Sequence, residues 1–106
     1  MTDKRLMLTT TSSREEANAI ANELVSRRLA ACVNVIGPIS SVYHWQGEVE
    51  RSEEFLLLIK STEAQTIPIQ DAVRELHSYQ LPEIISLNIE AGLETYLDWI
   101  AASVHR

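Results

Sequence analysis

Hydrophobic positions along this chain change their period several times, and each change marks an element. Leu6, Met7 and Leu8 run into Thr9, Thr10 and Thr11, an apolar and then β-branched stretch that predicts a short central strand over 4–11. Ser13 followed by Glu16 has the spacing of a capping box, and Ala17, Ile20, Ala21, Leu24 and Val25 recur at helical spacing, so a helix is predicted over 14–28. From Ala31 to Trp45 the chain is rich in Val, Ile and Tyr, with Gly37-Pro38 interrupting it. A long strand with a bulge or bend at that dipeptide is expected. Gln46-Gly47-Glu48 supplies a turn. After Val49 and a polar stretch, Phe55-Leu-Leu-Leu-Ile59 is an uninterrupted apolar run, the pattern of a strand buried on both faces, and the two strands are read as one long hairpin.

A second helix carries Ile69, Ala72, Val73 and Leu76 on one face and ends near His77. Its start stays open, because Pro68 tolerates only an early helical position or a kink. Leu81-Pro82 forces an extended entry into a fourth strand over 84–89. Gly92 then separates that strand from a last helix with Leu93, Tyr96, Leu97, Ile100, Ala101 and Val104 on one stripe. The order β-α-β, β-α-β and an extra helix predicts an α+β fold, a ferredoxin-like sandwich with a C-terminal helix, as one domain over residues 1–106.

Composition narrows the class. A chain of 106 residues that is 45% hydrophobic and 23% charged has the balance of a globular protein, and at that size its core is small unless neighbouring chains add burial. The formal net charge of −6 argues against nucleic acid, whose recognition depends on clustered Lys and Arg, and suits attraction of cations. Cys32 is the single cysteine, so no intramolecular disulfide is expected. No apolar stretch is long enough to cross a bilayer and the cytoplasm is the expected location. No P-loop, G-x-G-x-x-G, G-x-S-x-G or zincin motif is present, and neither is the M-x-C-x-x-C loop of copper chaperones, so no catalytic activity is expected.

Five blocks carry a resemblance: Ala30-Ala-Cys-Val-Asn34; Tyr43-His-Trp-Gln-Gly47 with Glu50 and Glu54; Lys60; His77-Ser-Tyr79 with Pro82-Glu83; and Tyr96-Leu-Asp-Trp-Ile100. In this order, over nearly the whole chain, they resemble the signature of the CutA family of divalent cation tolerance proteins. The resemblance implies a ferredoxin-like fold, a tight homotrimer, and a link to tolerance or binding of copper and other divalent cations. Ser78 stands where the family usually has Pro. Thr11 and Leu76 stand where some members carry a cysteine and a histidine, so a copper site here would have fewer soft ligands. The rival reading is a metabolite-sensing or partner-binding trimer that works through its inter-subunit clefts, as the PII signalling proteins do.

Within those blocks the candidate metal ligands are Cys32 and His77, with Glu54 and Glu83 as helpers. Thiolate selects soft cations such as copper, whereas carboxylates suit harder ones. Each has a plainer role beside it. A lone cysteine is commonly a small buried hydrophobe, and a histidine closing a helix meets the negative end of its dipole. Tyr43 and Trp45 share one face of the hairpin, with His44 on the other, and read as anchors of a subunit interface, which Tyr79 and Trp99 complete. Lys60, at the end of an apolar run, is either a cleft cation for an anion or a solvated strand exit.

Overall fold

The structure is a computed structural model and describes residues 2–105. Its elements are β1 (Lys4–Thr11), α1 (Arg14–Ser26), β2 (Cys32–Trp45), β3 (Glu48–Thr62), α2 (Thr66–Leu76), β4 (Ile85–Asn88) and α3 (Glu94–Ser103), with a single 3₁₀ turn, Glu63–Gln65, leading into α2. The four strands form one antiparallel sheet in the order β2-β3-β1-β4, so this is an α+β fold.

Period-two alternation decides which residues meet the helices. In register, Met7 faces Ile59 and Thr9 faces Leu57. These four, with Val33 and Val35 of β2, point to the side covered by Ala17, Ile20 and Leu24 of α1 and Ile69, Ala72 and Val73 of α2. The other parity of the same strands, Leu6, Leu8, Leu56 and Leu58, points away from that core and is only half-buried. Ile36, Ile85 and Leu87 share this second face and are 45%, 47% and 46% exposed. The apolar run 55–59 predicts burial on both faces, yet within one chain only the face of Leu57 and Ile59 is sealed.

Several boundaries differ from those read in the sequence, each for a local reason. β3 begins at Glu48, well before the apolar run, because Glu48–Glu54 pairs rung for rung with Ile39–Trp45 of β2. Those rungs need no apolar residue, since they form an arm that projects beyond β1, whose pairing with β3 stops at Thr11 opposite Phe55. The arm accounts for a shape of 44 × 25 × 22 Å. α1 stops at Ser26, two residues early, where Arg28 enters the left-handed region with φ +59°. Arg28 turns its guanidinium onto the last carbonyls of α3, donating to Ala102 at 3.1 Å and Ser103 at 3.3 Å, a cation at a helix C-terminus. Pro68 occupies the first turn of α2, where no intrahelical partner for its nitrogen is needed.

The bulge expected at Gly37-Pro38 is present. Ile36 faces Leu56 and Ile39 faces Glu54, so β2 carries one residue more than β3 there, and the Gly37-Pro38 peptide is cis. Arg14 braces it, donating to the Gly37 carbonyl at 2.8 Å while its guanidinium carbon lies 4.8 Å over the Phe55 ring. A Cβ on Gly37 would sit 2.6 Å from Phe55 Cδ2 and 3.1 Å from the Glu54 carbonyl oxygen. Gly37→Ala is therefore expected to cost about 1–3 kcal/mol, the usual range for overpacking. A urea-denaturation midpoint unchanged from the parent would contradict this packing.

Candidate functional site

At the root of the arm, where β1 ends and β2 and β3 run on without it, the loop between α2 and β4 folds back over the sheet. Its position is set by a network that begins in α1. Ser13 caps that helix, its Oγ accepting the Glu16 N–H at 3.1 Å. The Glu16 carboxylate does not return the bond to the cap. It reaches the loop instead, where Oε2 accepts the Ser78 N–H at 2.6 Å and Oε1 accepts the Ser78 hydroxyl at 3.0 Å.

His77 ends α2, its backbone N–H bonded to the Val73 carbonyl, and its side chain is fully buried. The ring does not lie on the helix end. Its Nε2 is 2.6 Å from the Thr10 carbonyl of β1, and Nδ1 accepts the Tyr79 N–H at 3.1 Å. With Nδ1 an acceptor, the ring proton sits on Nε2 and is donated to Thr10, so this network assigns the neutral tautomer. The Glu16 Oε2 lies 3.6 Å from Nδ1, and the Tyr79 ring packs against the imidazole with centroids 4.7 Å apart.

Thus held, Tyr79 points its hydroxyl at β3 and donates to Glu54 Oε2 at 2.7 Å. Glu54 is only 8% exposed. Burial, then the hydrogen bond to Glu54 and the charge of that carboxylate, hold the Tyr79 phenol well above the usual tyrosine range. The pair forms one wall of a cavity of about 570 Å³, enclosed further by Tyr43 and Trp45 from β2, Leu81 and Glu83. Tyr43 is fixed by its own hydroxyl, 3.1 Å from Ser52 Oγ. His44 points to the opposite face of the arm and is exposed, as alternation requires.

Cys32 belongs to the other end of the sheet. It faces Lys60, which faces Leu6, whereas His77 is bonded to Thr10, four residues further along β1 and therefore roughly 13 Å away along the strand. The thiol is half-buried, not sealed in the core, and donates weakly to Asn34 Oδ1 at 3.9 Å; the Lys60 ammonium is bonded to the same oxygen. The four candidate ligands thus fall in three places. Cys32 lies beside a lysine, His77 has both ring nitrogens engaged, and Glu54 and Glu83 share the cavity. Among the described residues no group of three or more His, Cys, Asp or Glu side chains is placed to hold a metal ion. Trp99, 46% exposed, stacks on Tyr96 at 5.4 Å on the outer side of α3. Glu16, Ser78 and Thr10 position the site, yet the sequence marks them only as a capping residue, a member of the His77-Ser-Tyr79 block and a strand residue.

Comparison with known proteins agrees with this architecture. The model of the CutA1 divalent ion tolerance protein family matches residues 5–103. The divalent-cation tolerance protein CutA of Thermus thermophilus is 44% identical over 97 residues, 92% of this chain and 94% of that protein. A chloroplastic CutA of Arabidopsis thaliana is 40% identical over 89% of this chain and 52% of its own length. The solved structure of an Archaeoglobus fulgidus protein, described as a periplasmic divalent cation tolerance protein CutA, superposes with a TM-score of 0.93 at 38% identity, covering 96% of this chain and 99% of that one.

The Tyr79–Glu54 bond has a measurable signature. Because the folded state holds the Tyr79 proton more tightly than the unfolded state, stability is full below the ordinary tyrosine range near pH 10 and falls as pH rises from there toward the folded value. In an ultraviolet titration a tyrosine step well above the ordinary range is expected, and Tyr79→Phe should abolish that late step. A folded parent without that late step would contradict the bond.

Proposed function

The chain belongs to the CutA1 divalent ion tolerance protein family, and from that premise we propose that it acts in the cytoplasm as a homotrimer of ferredoxin-like subunits in tolerance to divalent cations, copper among them. The observation that carries the trimer is the second face of the sheet. Ile36, Ile85 and Leu87 stand on it 45%, 47% and 46% exposed beside half-buried Leu6, Leu8, Leu56 and Leu58. A continuous apolar surface of this kind on a small subunit is stabilised by burial against further copies, at roughly 25 cal/mol per Å² removed from water. The arm adds Tyr43, 42% exposed, and Trp45, 40% exposed, and leaves β3 with no strand on its β1 side along Glu48–Glu54, an edge that closed symmetry protects. Three is the number that the family resemblance implies.

Cation binding fits the assembly better than the single chain. Cys32, the soft ligand, lies on this second face with Asn34 and Ile36, so copies that meet there bring further side chains to it. The proposal includes no reaction, and the family description names tolerance to ions. Relatives carry chloroplastic and periplasmic descriptions, and among the described residues no helix is long and apolar enough to cross a membrane.

Two measurements test the reading. Ile85→Asp with Leu87→Asp removes apolar side chains that cover little within one chain, so light scattering should show the trimer lost while far-ultraviolet dichroism shows the subunit's secondary structure retained. An unchanged trimer would move the interface elsewhere. In copper titrations under reducing conditions, Cys32→Ser should weaken binding at least tenfold in a protein that remains trimeric, and parental affinity would remove Cys32 as a ligand.

A further inference from the structure

We propose that the cavity at the root of the arm is a binding site for an organic cation, an ammonium or guanidinium group carried on an apolar body. The inference begins with Glu54. This carboxylate is 8% exposed, accepts the Tyr79 hydroxyl at 2.7 Å, and has no cationic partner among the described residues. Buried carboxylates are ordinarily paired with a cation, because one neutral hydrogen bond offsets only part of the lost hydration. The cavity that Glu54 borders holds a second carboxylate, Glu83, and among the described residues no lysine, arginine or histidine lines it. The missing charge is thus positive and is not supplied by the described side chains of this chain.

The walls select the kind of cation. Tyr43, Trp45 and Tyr79 offer three aromatic rings, and Leu81 adds apolar surface, in a space of about 570 Å³, the size of a small-molecule site. Aromatic faces attract cations, and most strongly those whose charge is spread over a weakly hydrated organic group. A hard divalent ion such as calcium or magnesium requires a compact shell of about six or more oxygens, which this aromatic-walled space does not present, and no three acidic or histidine side chains gather among the described residues. A head group on the free Glu54 oxygen leaves the Tyr79 bond to Oε2 in place, with an alkyl or aryl body lying against Trp45. Glu54 and Thr10 share the strand parity of Leu56 and Leu8, so the cavity borders the open sheet face proposed for assembly. It lies at the far end of the sheet from Cys32, however, and does not depend on the proposed metal chemistry.

Trp45 and Trp99 are the only tryptophans, so Trp99→Phe, on α3 and outside the cavity, leaves Trp45 as the sole indole reporter. This protein, in its native assembly, is titrated with n-butylammonium and n-butylguanidinium chloride. 1-Butanol and sodium butyrate, at matched ionic strength, serve as neutral and anionic counterparts. The expected result is a saturable change of Trp45 fluorescence with both cations and with neither control, with affinity at least tenfold weaker in Glu54→Gln and at least threefold weaker in Glu83→Gln. Glu83 is exposed, so its variant carries the test alone if Glu54→Gln does not fold. The proposal is overturned by any of four outcomes: no saturation by either cation, an equal response to butanol, parental affinity in the folded glutamine variants, or a response that appears only after dilution separates the copies. The last would mean that another subunit's side chain fills the cavity. Light scattering on the same samples reports the assembly, so a failed trimer and a failed cation site give different results.

Discussion

One sheet with two apolar faces, and helices enough to cover only one of them, is the constraint on which the rest of this structure depends. α1 and α2 seal Met7, Leu57 and Ile59, while the strands carry a second row of Leu and Ile that neither helix reaches. Alternation makes the two rows inseparable, since every residue added to a strand feeds one face or the other. β4, a short edge strand paired only with β1, has all four residues exposed in the single chain. The assembly proposed above would continue folding by the same hydrophobic term.

The arm follows from the same geometry. β2 and β3 outrun β1 by the length of Glu48–Glu54, and the bulge at Gly37 lies where the supported part of the hairpin becomes the free part. Arg14 and Phe55 clamp that junction from the helix side. On the other side the loop after α2 closes over Glu54. What fixes the loop is polar: Glu16 to Ser78, His77 to Thr10, Tyr79 to Glu54. Such a network is stable only when each buried partner is satisfied, and it gives the cavity walls a defined geometry.

Much of the fold was legible because its signals are local. The triplet Leu6, Met7, Leu8, the helical spacing from Ala17 to Leu24 and the dipeptide Gly37-Pro38 each depend on residues a few positions apart, and the elements they predict are present with ends shifted by a residue or two. The apolar run at Phe55–Ile59 was equally legible, but its meaning was split. It announces two buried faces without saying what covers the second, which within one chain stays half-open. The polar half of β3 was not legible as strand, since Glu48–Glu54 alternates no apolar residues and is held by pairing alone.

The site was least legible because its bonds join distant positions. Glu16 reads as half of a capping box, yet its carboxylate is used 62 residues away, and Tyr79 reaches Glu54 across 25. Cys32 and His77 were singled out for their chemistry, which composition and motif can show, whereas their separation along the sheet needed the register. The most direct test of the central claim, that further copies cover the second sheet face, is small-angle X-ray scattering from the untagged parent protein at micromolar concentration. The account predicts a scattering mass three times the chain's 12.0 kDa and a radius of gyration well above the 14.2 Å of one subunit. A mass of 12.0 kDa with a radius near 14.2 Å, from a stable folded protein, would contradict it.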